Sequence, residues 1–299
     1  MNIKISVCIC TRKRKDGLKR LLESIEAMII PSGVELNIII VENDSENFTE
    51  SVVRQFAESS RFKIDYFLET KQGIVYARNR SVAEAGNCDF CCFTDDDEIV
   101  APDWIEELVK CQNEFGADAV AGPTMPSFTK KLPVYITSFH QPNNYPYGTI
   151  VGSAFTGNLL VRKKYLDMLE GPFEPRLNFS GGEDSYLTKQ IIKNGGVIRF
   201  NPNALASETV PEARTTVKYI LRRKFRTANT ELIIRSINDK NFTKLKAFPR
   251  LVLRFMNGLF LLLPYLVFGK AEKLKGLTKM ANAVGGFAFV FGKKTQFYR

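Results

Sequence analysis

Three adjacent carboxylates, Asp95-Asp96-Asp97, follow the apolar run 90–93. Side by side they repel one another, and a divalent cation that prefers oxygen ligands, Mg²⁺ or Mn²⁺, offsets the repulsion. In an extended segment alternate residues share a side, so Asp95 and Asp97 can converge while Asp96 points elsewhere. The same run also reads as a solvated acidic turn capping the helix that follows Pro102. A second acidic pair, Glu183-Asp184, comes directly after Gly181-Gly182 and opens a predicted helix. The helix macrodipole favours ionised carboxylates there, which suits a general base. Simple acidic capping accounts for the pattern as well.

The elements that must position these groups alternate in kind. Residues 3–10 are apolar and β-branched and predict a buried strand. Over 16–28, Leu18, Leu21, Leu22, Ile25 and Met28 recur at helical spacing, with Asp16 placed as the cap;. A second strand at 36–41 ends in Glu42-Asn43-Asp44-Ser45. A helix at 48–59, a short strand near 64–68, a helix at 73–85 and a strand at 90–93 follow. This alternation predicts an α/β fold with a mostly parallel central sheet flanked by helices. Ligands collect beyond the carboxyl ends of such strands, where Thr11-Arg12, Glu42-Asn43-Asp44 and the three aspartates would share one edge. Further on, the pattern predicts a helix at 104–115, a strand at 158–162 and a helix at 185–193, with a Pro- and Tyr-rich stretch at 123–148.

Charge divides the chain. The net charge is +10, yet residues 212–299 hold 19 Lys/Arg against four Asp/Glu, so the basic surplus lies in the C-terminal third. Nucleic acid is not the expected partner, because aromatic interleaving and the usual modules are missing. The six cysteines include the C-x-x-C pair Cys88 and Cys91. Most lie in apolar strand-like runs and read as buried hydrophobes rather than redox or zinc groups. Reduced thiols and a short, basic-flanked first apolar run suit a cytosolic setting without a signal peptide. One histidine, His140, makes Ser-His-Asp, Cys-His or multi-His zinc chemistry a poor fit;. It reads as a satisfied loop residue.

The segments SVCICTRKR, VENDSE, KQGIVYARNRSV, FTDDDEIVAPDWI, GNLLVRK and SGGEDSYL, in this order and spacing over roughly residues 3–226, resemble an inverting, family 2 glycosyltransferase with a GT-A fold. The resemblance implies a nucleotide-sugar-binding half at 1–110 and an acceptor and base half at 111–211. Thr11, Arg12, Glu42, Arg78, Asp95 and Asp96 would border the donor, a UDP-, GDP- or dTDP-sugar. Glu42 would contact the base, at a position where the family usually carries Asp, and Asn79 would support the Arg78 loop. Asp97 and Asp95 would hold Mn²⁺ or Mg²⁺. Asp184 would be the general base and Glu183 would orient the acceptor, a glycan or lipid-linked hydroxyl. The stretch 123–148 would shape the acceptor pocket. Many relatives carry a further His ligand after the base segment; here the region reads Ser207-Glu208-Thr209, with Glu208 as a candidate substitute or as a partner of Arg214.

Residues 212–299 form a basic helical extension with Lys218, Arg222, Arg223, Lys224 and Arg226 clustered on one predicted helix. The charge-free stretch 255–269 falls short of the about 20 apolar residues that span a bilayer, and 280–291 is shorter still. Both suit an interfacial or re-entrant pair drawn to an anionic membrane surface, at the cytoplasmic face of the plasma membrane; a helical bundle packed on the catalytic domain is the other reading. The functional expectation is a metal-dependent inverting enzyme of cell-surface polysaccharide, lipopolysaccharide or glycolipid synthesis. The competing reading is a non-catalytic, membrane-tethered sugar-nucleotide-binding protein. A nucleotidyltransferase would carry a glycine-rich, basic phosphate loop near the N-terminus, and none is present.

Overall fold

A computed structural model describes residues 2–239, 241–262 and 270–293, apart from the side chain at 272. The first half follows the predicted alternation: β1 (Ile3–Thr11), α1 (Lys15–Glu26), β2 (Val34–Glu42), α2 (Glu50–Ala57), β3 (Lys63–Leu68), α3 (Ile74–Glu84) and β4 (Phe90–Asp95). Next come β5 (Glu98–Val100), α4 (Trp104–Phe115), β6 (Ala119–Ala121), β7 (Thr124–Ser127) and α5 (Val134–His140). The remaining strands are β8 (Thr149–Ile150), β9 (Asn158–Arg162), β10 (Ile198–Phe200) and β11 (Ala206–Thr209), with α6 (Lys163–Asp167) and α7 (Glu183–Lys193) between them.

The main sheet has the order β3-β2-β1-β4-β9-β6-β10-β8, and β5-β11-β7 form a smaller sheet. β3, β2, β1 and β4 are parallel neighbours, while β9 runs antiparallel between β4 and β6. Strand periodicity sorts the core onto two faces. Ile5, Val7 and Ile9 of β1 pack with Leu18, Leu21 and Leu22 of α1 and with Trp104 of α4. Cys8 of the same strand faces the other way, with Val75 and Val82 of α3 and Leu187 and Ile191 of α7. Both faces are thus covered, as a parallel sheet requires.

Two compact units result. One comprises Met1–Ser127, Pro142–Asn178 and Glu183–Thr209; the other comprises Phe128–Gln141, Phe179–Gly182 and Val210–Arg299. The second contains α5 and three long helices, α8 (Val217–Asn238), α9 (Lys244–Phe260) and α10 (Lys270–Val290). The apolar stretch read at 255–269 lies partly in α9 and partly outside the described residues, and the one at 280–291 lies almost wholly within α10. Among the described residues, no helix is long and apolar enough to cross a membrane.

Two local expectations are corrected. Asp16 does not cap α1: the helix starts one residue earlier, after Arg14, and no side chain caps it. His140 ends α5 rather than lying in a loop, and its buried Nε2 has no hydrogen-bond partner. The His140 ring meets Phe128 and Phe139 edge-on at 5.8 and 5.7 Å, and burial lowers its affinity for a proton;.

Candidate active site

β1, β2 and β4 end level with one another: Thr11 pairs with Glu42, and Cys10 with Asp95. The polar residues at these ends are therefore delivered side by side. The Thr11 hydroxyl donates to Asp96 at 2.8 Å. Arg14 donates through Nη1 to both Asp96 and Asp97, each at 2.8 Å. Asp96 is buried, and burial pushes its carboxyl up to about 6 although Arg14 opposes the shift;. On the other side of the edge, Arg12 and Lys13 pair with Asp44 at 3.3 and 3.2 Å. The Ser45 amide is the main reason the Asp44 carboxyl falls to about 2, and the two cations add to it.

The second acidic pair reaches this edge through one guanidinium. Arg78, on α3, is 7% exposed. Its Nη1 donates to Glu183 Oε1, and its Nη2 donates to Asp95 Oδ1 at 3.1 Å. Burial works against the Arg78 charge, but Asp95 and Glu183 outweigh it and hold the proton more firmly than usual. Glu183 is itself buried, and its Oε2 has no hydrogen-bond partner. Asp184 is half-buried in the first turn of α7, with Oδ1 accepting from the Ser185 amide at 2.6 Å. Burial, followed by the Glu183 carboxylate, pushes its carboxyl up to about 7. The helix start alone would favour the ionised form, so burial wins here. A carboxyl with that proton affinity is poised between its two forms at neutral pH, as a general base should be.

The carboxylates at this edge include surface suited to a hard cation. The Asp95 side chain is 44% exposed and that of Asp97 26%. Among the described residues, no group of three or more His, Cys, Asp or Glu gathers as a ligand set. Two carboxylates still fit Mg²⁺ or Mn²⁺, since such ions keep several waters and share substrate phosphates as ligands. Arg14 already occupies Asp97, so a cation there must share or displace that contact.

Residues 6–167, more than half of the chain, match the glycosyl transferase family 2 domain. The chain belongs to that family. It is a glycosyltransferase. The succinoglycan biosynthesis protein ExoM of Rhizobium meliloti is 31% identical over 228 residues, which is 76% of this chain and 73% of that protein. Among solved structures, the mannosyltransferase PcManGT of Pyrobaculum calidifontis, in complex with GDP-Man and Mn²⁺, aligns with a TM-score of 0.65 at 16% identity. That alignment covers 98% of this chain and 88% of the other. S. aureus TarS 1–349 in complex with UDP-GlcNAc aligns with a TM-score of 0.53 at 14% identity, covering 97% and 93%. These two likenesses establish the GT-A fold.

Within this family 2 glycosyltransferase, Glu42 ends β2 beside Thr11. It is fully buried, and Oε2 accepts from the Thr49 amide (2.6 Å), the Thr49 hydroxyl (2.9 Å) and the Tyr66 hydroxyl (2.7 Å). Through these contacts Glu42 holds the loop before α2, while its Oε1 accepts from the Lys13 amide at 3.4 Å. Its additional methylene, relative to the usual Asp, gives it the reach to do so. Asn79 stands with Arg78 on α3, not in a loop, and exchanges hydrogen bonds with the Phe173 backbone at 2.9 Å in both directions. Glu208 stands on β11 opposite Glu98 of β5, within the smaller sheet.

Arg14 and Glu98 were not singled out from sequence. Arg14 sits in the run TRKRK, where several cations are equivalent on paper, and only the turn after Thr11 selects one. Glu98 is buried beneath Asp95. Its Oε2 accepts from the Thr94 hydroxyl (2.8 Å) and the Asp95 amide (3.1 Å), and its Oε1 from Thr124 (3.0 Å). Burial, with Asp95 next, raises its carboxyl well above the usual range. The fourth acid of the DDDE run therefore fixes the backbone on which Asp95 stands.

Proposed function

We propose that the chain moves a glycosyl group from a nucleotide-sugar donor to an acceptor hydroxyl by one inverting displacement, in the assembly of a bacterial cell-surface polysaccharide or glycolipid. The observation that carries this reading is Arg78, whose single guanidinium ties Asp95 at the strand edge to Glu183 beside Asp184. Donor-side and acceptor-side groups are thereby held within one side chain of each other. The ligands named for PcManGT and TarS support the donor class, and the likeness to ExoM supports a polysaccharide product.

In this mechanism Arg12, next to the buried Thr11, borders the nucleotide. Asp184 takes the proton of the acceptor hydroxyl, and the acceptor oxygen bonds to the anomeric carbon from the face opposite the diphosphate. The bond from that carbon to the phosphate oxygen breaks, and its electron pair leaves with the nucleotide. Asp95 and Asp97 would hold Mn²⁺ or Mg²⁺, which would offset charge developing on the departing diphosphate. Glu183, fixed by Arg78 beside Asp184, orients the acceptor.

A screen of UDP-, GDP- and dTDP-sugars with Mn²⁺, and again with chelator, tests the reading, with the product anomer assigned by NMR. The expected result is cation-dependent transfer with inversion from one donor class, lost in Asp184→Asn while nucleotide still binds. Transfer by that variant at the wild-type rate, or retention at the anomeric carbon, would overturn it.

A further inference from the structure

The helix α9 divides into three sectors when its residues are placed at 3.6 per turn. Ala247, Leu251 and Gly258 are buried and form the packing sector. Gly258 and Gly276 of α10 allow the two helices to touch: a methyl group at Gly258 would lie 2.9 Å from the Gly276 carbonyl oxygen. The next sector is apolar and open to solvent. Leu245 is 77% exposed, Leu253 70%, Phe260 68% and Met256 53%, with the exposed Val252 and Leu259 on the side nearer the packing sector. This sector covers an arc of about 120° by the helical period. Its far edge is polar and basic: Lys246, Asn257, Arg250 and Arg254 follow in order around the helix, all exposed.

An exposed apolar arc of this width is uncommon on a protein surface without a partner. Its cationic border names the partner. Residues 212–299 hold 19 Lys/Arg against four Asp/Glu, so the surrounding unit adds to the same field. Self-pairing through this face would bring two basic borders together, whereas an anionic lipid surface offers acyl chains to the arc and headgroup phosphates to the border. We propose that α9 lies in the plane of an anionic membrane surface, with Leu245, Val252, Leu253, Met256, Leu259 and Phe260 inserted and Lys246 and Arg250 at the headgroups. This assigns the membrane contact to a helix that starts eleven residues before the charge-free stretch at 255–269. It stands independently of the proposed transfer reaction.

Flotation of the full chain with phosphatidylcholine vesicles, alone or containing phosphatidylglycerol, tests the proposal. Wild type should float with the anionic vesicles and about tenfold less with the neutral ones. The double variant Leu253→Glu/Phe260→Glu changes exposed positions only, so its fold, followed by circular dichroism, should persist while flotation falls about tenfold or more. Arg250→Glu should weaken flotation by a smaller factor and make it less sensitive to salt. Three outcomes would each overturn the proposal: no wild-type flotation with anionic vesicles, equal flotation of the double variant, or vesicle-free dimers that the double variant dissociates. Nucleotide binding, measured in parallel, keeps this result separate from the fate of the transfer reaction.

Discussion

The two compact units treat charge in opposite ways. Around the strand edge of the first unit, buried charged groups are matched: Arg78 with Glu183, and Asp96 with the more exposed Arg14. In the second unit, Lys246, Arg250 and Arg254 stand on an exposed helix edge. A buried charge without its counterion is expensive, so pairing fixes geometry to within a hydrogen bond. Exposed cations, even where one makes a local contact as Arg254 does with Asn282, act mainly through their summed field;. The first arrangement can position reacting atoms. The second can only attract a surface.

The contrast breaks most readily at Asp184. Asp184→Asn should lower turnover by about 10²- to 10⁴-fold, the range for a lost general base, with donor affinity in calorimetry little changed. The same carboxyl sets a pH dependence. Burial raises its folded value to about 7, and the base form is the unprotonated one, so the rate should rise as pH increases through about 7 and then level;. A rate already level in mildly acid buffer would show that burial does not govern this group. Next in size is Arg78→Met, which strands Glu183 in the interior and should cost about 3–5 kcal/mol in urea unfolding.

Smaller effects sharpen the comparison. A methyl group at Gly17 would lie 2.6 Å from the Asp96 carbonyl oxygen, because α1 runs directly against the acidic turn. Gly17→Ala should therefore destabilise by about 1–3 kcal/mol. Arg14→Met removes a cation competing for Asp97, and calorimetry without donor should show Mn²⁺ binding several-fold more tightly;. Arg250→Ala, on the exposed edge of α9, should change folding stability by no more than about 0.5 kcal/mol. Equal losses of stability in Arg250→Ala and Arg78→Met would abolish the distinction between the units.

What the sequence disclosed follows the same division. Strands β1 and β2 announce themselves as β-branched runs and β4 as a short apolar one, and their polar ends mark the site because a parallel sheet presents them at one edge. Asp95 and the Glu183-Asp184 pair were legible as acidic groups at element ends. Their meeting through Arg78 was not, because it depends on contacts 17 and 105 residues apart in the chain. The contacts of Glu42 were hidden for a related reason: Thr49 and Tyr66, which close around its Oε2, lie 7 and 24 residues away in the chain. The small sheet β5-β11-β7 escaped notice because its strands have only three or four residues each, too few for a period to show. In the C-terminal third, blocks of apolar sequence were visible, but the sectors of α9 emerge only once packing against α10 removes one side from solvent.

The Arg78 guanidinium is engaged at two of its nitrogens by acids arriving from separate elements. Lysine ends in a single ammonium nitrogen, whose donors all radiate from one point, so it lacks the two separate nitrogens with which the planar guanidinium reaches these acceptors. Exchange of like for like, harmless at most basic positions of this chain, would here leave one of the two acids without its clasp. Position 78 is thus chosen for shape as much as for sign.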